Sequence, residues 1–169
     1  MISLGPLKRE DMSQLLEWRN RFPEAWRDPR PTTITQQYDW FDNIVSKSSE
    51  GRYWGVYANG LFVGQVELTS IIWEYGIGEI GLIVDPCLRG KGIGREAVRL
   101  AIKQAFEYLR LETVCGECYY CNDAWRFWQK IAIDWGSYIT HLRNRKRWDN
   151  RLWDSLYFSW HKGECACLY

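Results

Sequence analysis

The chain has 169 residues, with 22 lysines and arginines against 21 acids and a formal charge of +1. That is one domain with a sizeable core and no overall bias toward nucleic acid or membrane. The first ten residues lack the basic start and apolar run of a secretory signal, and no uncharged apolar stretch reaches bilayer length, so a soluble, cytoplasmic protein is expected.

In chain order, residues 2–7 read as a strand and residues 10–20 as a helix whose Met12, Leu15 and Leu16 share one face with the stem of Arg19. Residues 27–31 are a breaker-rich connection. Thr33 and Gln36 fit a capping box, which starts a second helix carrying Tyr38, Trp40, Phe41, Ile44 and Val45. Strands at 53–58 and from 61 to 68 or beyond flank Asn59-Gly60, a strong hairpin signal. After a turn over 73–78, the apolar run at 79–84 reads as a central strand covered on both faces. A long helix follows to about residue 109, with Glu96, Arg99, Lys103, Glu107 and Arg110 on its polar stripe. Then come a strand at 113–120, a short helix capped by Asn122 and running to about 131, and strands at 137–142 and 153–160. The expected organisation is one domain over 1–161 and a short tail over 162–169, which carries Cys165 and Cys167 and frays.

Between the central strand and the long helix stands Arg89-Gly90-Lys91-Gly92-Ile93-Gly94. Glycines permit positive φ and close backbone approach. The unpaired amides of a helix start and the positive end of its dipole converge at the same place. Such a turn suits phosphate; a tight connection without a ligand is the plainer alternative. It is not a Walker A loop, because no Gly-Lys-Ser/Thr closes it, and it lacks the dinucleotide pattern with its downstream acid.

Read as Arg89-x-x-Gly92-x-Gly94 after a strand bearing Glu79, the segment resembles the pyrophosphate-binding motif of the GNAT acyl-CoA-dependent N-acetyltransferases. The likeness extends over about residues 2–160. Leu15 to Asn20, followed by Trp40-Phe41, is similar to the branch of ribosomal-protein N-terminal and amino-sugar N-acetyltransferases. The resemblance implies an α/β (α+β) fold, a mixed and mostly antiparallel sheet with helices on both faces and two central strands splayed apart for a thioester arm. It implies acetyl-CoA as co-substrate and no metal. The backbone of Arg89, Gly90, Lys91, Gly92, Ile93, Gly94 and Arg95 would hold the diphosphate, with charge added by the Arg89 and Lys91 side chains. Leu82, Ile83 and Val84 would line the pantetheine arm; Asn122, one residue off the commonest spacing, and Lys130 match further positions of the family pattern, in which Ala132 and Ile133 replace a Gly-Phe. Glu79 takes the place of the catalytic base, with Glu67 in reserve; a solvent-facing strand-end carboxylate is the plainer reading of Glu79. Trp18, Arg19, Asn20, Trp40 and Phe41 resemble the acceptor wall, or else helix–helix packing.

Direct attack by an amine in a ternary complex requires loss of a proton, since an α-amine has a pKa of about 7.7 to 8.0 and an alkyl amine about 10.4. The family's acid for the departing thiolate is a tyrosine; Trp128 stands in its place, and an indole cannot surrender its proton at neutral pH. Tyr119 and Tyr120 are the substitutes at hand, and a thiol of pKa about 8.5 leaves tolerably unaided. The run His141 to Trp148, with Arg151, reads as a solvated hairpin bordering the acceptor cleft. It favours an anionic acceptor such as an amino-sugar nucleotide or similar small amine. A peptide N-terminus is the rival acceptor, and an idle acyl-CoA-binding or RNA-binding module the rival class. No membrane partner is expected, and a homodimer is compatible with all of these. Cys115-x-x-Cys118-x-x-Cys121 invites a metal, but strand positions three apart face opposite ways, so free thiols are expected.

Overall fold

The structure, a computed structural model, describes residues 1–168. Seven strands, β1 (Ile2–Pro6), β2 (Arg52–Ala58), β3 (Leu61–Ile72), β4 (Ile77–Val84), β5 (Thr113–Tyr119), β6 (Tyr138–Trp148) and β7 (Arg151–His161), form one sheet in the order β1-β2-β3-β4-β5-β7-β6. Four α-helices accompany it: α1 (Met12–Arg21), α2 (Ile34–Trp40), α3 (Ile93–Lys103) and α4 (Trp125–Asp134). Every neighbouring strand pair is antiparallel except β4 and β5. The mixed sheet with helices on both faces is therefore the fold that the family resemblance implied.

Alternation along the strands divides the interior in two. Val98 and Ile102 of α3 and Ile131 of α4 pack on Val66, Leu68, Ile80, Val114 and Leu156. On the opposite face Met12, Leu15 and Trp18 of α1 join Leu7, with Tyr38, Trp40, Tyr53, Phe62 and Ile83 packed around them. Full burial of a side chain such as Met12 or Ile102 contributes about 1.5–3 kcal/mol. Both α2 and α3 end in π-helical turns, Phe41–Val45 and Gln104–Tyr108, and Thr33 with Gln36 forms the expected capping box.

The feature that makes a site is the parting of β4 from β5. They pair only at Ile77↔Thr113, Gly78↔Val114 and Glu79↔Cys115. Beyond Glu79, β4 remains bonded to β3 as far as Val84, and β5 remains bonded to β7 as far as Tyr119. A wedge opens between them, with a strand edge free of ladder partners along each side.

Several local expectations are corrected. The basic run is a hairpin with longer strands than expected: β6 continues through it to Trp148 with a bulge between Leu142 and Lys146, and the reversal is only Asp149-Asn150. Those two residues take φ of 49° and 58°, positive values that Asp and Asn tolerate and that match the twist of a two-residue hairpin. Asn122 does not cap α4, which starts at Trp125; its Oδ1 accepts the Ala124 N–H at 3.0 Å in a turn before the helix. Nor does the tail fray. The Ala166 N–H donates to the Trp135 carbonyl at 3.1 Å, Cys165 is buried, and Cys167 and Leu168 pack on the larger core. Tyr169 lies outside the described residues.

Cys115 and Cys118 do point to opposite faces of β5, with only Cys118 in the larger core. Among the described residues, no three or more His, Cys, Asp or Glu side chains are placed to hold one metal ion. No helix of the described residues is long and apolar enough to cross a membrane.

Candidate active site

Asp85 terminates β4 by accepting the Cys87 N–H at 2.8 Å, which starts a 3-10 turn over Pro86–Leu88. The chain then turns through Gly90 and Gly92 at φ of 77° and 79°, values that an L side chain resists. Gly92 is the N-cap of α3, and no atom stands within 4 Å of where a Cβ would project at either glycine. Open space therefore lies before the first amides of the helix, where a diphosphate fits. Gly94 serves differently. Its Cβ would meet Leu82 Cδ2 at 3.2 Å and Phe127 Cζ at 3.4 Å, so the missing side chain lets α3 close on β4 and α4.

The side chains near this turn divide. Lys91 is exposed, Ile93 is buried, and the Arg89 guanidinium lies over the Phe22 ring at 4.2 Å. Arg95 is drawn away to Asp134 at 2.6 Å, tying α3 to α4 and leaving only its backbone for a ligand. Leu82 and Val84 pack into the larger core and Ile83 into the smaller, while their backbone edge faces the wedge. Lys130 is exposed on α4. Open amides at one end, and a free strand edge running from them toward Glu79, fit the diphosphate and the extended arm of an acyl-CoA.

At the narrow end of the wedge the smaller-core face carries three carboxylates. Glu67 lies opposite Gly81, where a Cβ would come within 2.7 Å of Glu67 Oε1, and its Oε2 accepts the Gln65 amide at 2.6 Å. Burial pushes its pKa up to about 7, against the opposing pull of the Gln65 hydrogen bond and Arg19. Glu79, the last residue of β4 paired with β5, is held by Arg27 at 2.6 Å. Glu117 accepts from Arg145 at 3.0 Å and from the Ser155 hydroxyl at 2.6 Å. Burial acts to raise the Glu117 pKa, but these donors outweigh it and hold the group below the ordinary range.

The connection from α1 to α2 covers this face. Lys146, 7% exposed, donates to the carbonyls of Glu24 and Trp26 beneath that loop, with the rings of Tyr119 and Trp148 at 4.9 and 5.5 Å. Replacing its ammonium would leave two part-buried carbonyls without their donor and free the loop. Lys146→Met is expected to cost about 2 kcal/mol and lower Tm by roughly 5 °C in differential scanning calorimetry; an unchanged Tm would show the anchor to be idle.

Of the residues expected on the acceptor wall, Arg19 and Asn20 face a cavity of about 180 Å³, with Trp26, Arg30 and Trp148 on its other sides. Arg19 also donates to Thr32 Oγ1 at 3.0 Å, and its guanidinium lies 4.5 Å from the Trp26 ring. Trp18 is instead buried and stacked on Phe62 at 5.5 Å. Trp40 meets Tyr53 edge-on at 5.4 Å and Phe41 packs against the smaller core, in the packing role that was the alternative for both. Trp128 is stacked on Phe158 at 5.0 Å inside the core, which removes it from proton transfer on geometry as well as chemistry. The Tyr120 hydroxyl is hydrogen-bonded to His141. Arg27 was missed in the sequence. It sits in a breaker-rich loop 52 residues from Glu79, and no local pattern announces such a pair.

A model of the acetyltransferase (GNAT) domain matches residues 2–127. The spermidine N(1)-acetyltransferases of Escherichia coli strains K12 and O157:H7 are each 29% identical over 112 residues, a match covering 65% of this chain and 60% of theirs. The chain thus spans about three-fifths of the length of these curated relatives. Among solved structures, the Vibrio cholerae spermidine N-acetyltransferase in complex with CoA and spermine superposes with a TM-score of 0.85 at 19% identity, covering 99% of this chain and 98% of that one. The Vibrio cholerae spermidine/spermine N-acetyltransferase in complex with manganese ions gives 0.78 at 20% identity, covering 95% and 92%; at such identities the likeness concerns the fold. With the domain match covering most of its length, and the glycine turn and parted central strands where that fold needs them, the chain belongs to the GNAT acetyltransferase family.

Proposed function

We propose that the chain transfers an acetyl group from acetyl-CoA to a primary amine of a small polycationic acceptor, a polyamine, by direct attack in a ternary complex. The observation that carries this reading is the set of carboxylates, Glu67, Glu79 and Glu117, on the sheet face where the wedge narrows. The anionic acceptor expected from the basic run is weakened, because Arg145 and Lys146 are taken up within the protein, while Arg143, Arg147 and Arg151 stay exposed. Arg145 is paired with Glu117, Lys146 is buried under carbonyls, and Arg151 lies over Trp153. The spermidine acetyltransferases among its relatives support the same choice.

The co-substrate supplies the thioester and a thiolate leaving group. The chain supplies the rest. Glu79 anchors the incoming ammonium. Glu67, a diagonal neighbour across β3 and β4 at roughly 7–8 Å between backbones, takes its proton through a water. An alkyl ammonium of pKa about 10.4 gives its proton to a group near 7 at a cost of about three pH units, against about six for an ordinary carboxylate. A backbone amide among Leu82, Ile83 and Val84 on the free edge of β4 faces the carbonyl oxygen as negative charge develops.

The test is a panel of spermidine, spermine, aliphatic diamines, nucleotide-linked amino sugars and ribosomal-protein N-terminal peptides, followed by release of CoA thiol. Polyamines are expected to exceed the others in kcat/KM by about a hundredfold, in line with loss of a charge-assisted contact in the weaker acceptors. Preferential turnover of amino sugars or peptides would move the acceptor assignment. Silence toward every amine would remove the enzymatic reading.

A further inference from the structure

Arg27 engages Glu79, the carboxylate to which the reaction proposed above brings the amine. Its Nη2 lies 2.6 Å from Glu79 Oε1, at the last β4–β5 pair, where the wedge begins. The two partners differ in freedom: the Glu79 side chain is 26% exposed and fixed on a strand, whereas the Arg27 side chain is 65% exposed on a loop. The loop just before Arg27 is pinned, because the Trp26 indole donates to the Arg19 carbonyl at 2.9 Å and Lys146 holds the Trp26 carbonyl. Farther along the loop, Arg30 is paired to Asp28 at 2.6 Å. Arg27 can therefore leave Glu79 by rotating its side chain, without unfastening the loop backbone.

We infer that Arg27 is a built-in stand-in for the acceptor's ammonium, and that the site admits an amine by exchanging one cation for another at Glu79. This rests on the reaction proposed above and adds the rule by which the site selects. One guanidinium leaves, one ammonium enters, and the charge around Glu79 is unchanged. An acceptor arriving as a neutral amine would leave a half-buried carboxylate without its counter-ion, which is costly. The displaced guanidinium has a second carboxylate within electrostatic reach in Glu117, which Arg145 already engages. Arg27 thus sets the charge of the acceptor, and its bond to Glu79 lowers apparent acceptor affinity by the fraction of molecules in which the bond is closed.

The experiment compares steady-state kinetics for a diamine in the wild type, Arg27→Gln, Arg27→Met and Arg27→Lys, with CoA affinity measured by calorimetry in each. Arg27→Gln is expected to lower KM for the amine about tenfold while kcat stays within about twofold, because the closed form is absent from the ternary complex. Arg27→Lys, which keeps the cation, is expected to restore a KM near that of the wild type. A KM that is unchanged or raised in Arg27→Gln, at unaltered CoA affinity, overturns the inference. So does loss of CoA affinity in both Arg27→Gln and Arg27→Met, which would make the residue structural. A wild type that binds CoA but acetylates no amine defeats the proposed function instead, so the two failures are distinct.

Discussion

Gly92→Glu is expected to weaken CoA binding by about a thousandfold. Two effects combine at this position. The backbone of Gly92 sits at φ 79°, where any L side chain costs about 1–2 kcal/mol; with a side chain the free turn relaxes away from this conformation, and CoA binding has to restore it. The new carboxylate would also project into the open space before the first amides of α3, where a diphosphate is to bind. Repulsion there, with loss of amide contacts to the ligand, adds roughly 2–3 kcal/mol, and each 1.4 kcal/mol is a tenfold change. Calorimetric titration with CoA measures the loss, and far-UV circular dichroism verifies the fold. Gly92→Ala separates the two effects: it carries the backbone strain without the charge, and about a tenfold loss is expected. Undiminished affinity in Gly92→Glu would take the diphosphate away from this turn altogether.

Glu67→Gln has the next largest expected effect, and it is visible in two unrelated measurements. As proton acceptor, Glu67 with a pKa of about 7 is half ionised at neutral pH, so kcat/KM should rise with pH through that value. The glutamine variant should lose that limb and about a hundredfold in kcat, with CoA affinity intact. Stability responds in the opposite sense. The folded-state pKa lies above the ordinary value of 4.5, so between about 4.5 and 7 the native protein binds more protons than the unfolded chain. Stability therefore falls as pH rises through this window. Glu67→Gln removes that slope and should melt at a higher temperature than the wild type at pH 8. Normal turnover with a flat stability profile in both proteins would return the base assignment to Glu79.

What the sequence made legible follows from how locally each feature is encoded. The glycine turn, the Thr33–Gln36 capping box and the Asn59-Gly60 reversal are set within a few residues, and all three appear where expected. The seven strands were legible in chain order from apolar patterning and turn signals, whereas the parting of β4 from β5 followed from the family resemblance alone. The basic run was rightly read as a hairpin but with strands too short, because a run of consecutive charged residues carries no period-two apolar signal; pairing with β7 and the Asp149-Asn150 turn extend β6 to Trp148. The tail was misread because its burial depends on Trp135 and the larger core, distant elements that no local window contains. The carboxylate cluster lay half in view. Glu79 and Glu67 stood out by their places on consecutive strands, whereas Arg27, Glu117 and Lys146 acquire their roles only when the α1–α2 connection folds over β5 and β6.

The three residue pairs joining β4 to β5 act as the spine of a partly opened book. On one page lie Glu67, Glu79 and the glycine turn; on the other lie Glu117, Tyr119 and, through β7, the hairpin that fastens the loop. Because one continuous core runs beneath both pages and the Arg95–Asp134 pair ties the helices that back them, the angle at which the book stands open is held by packing as much as by its short spine.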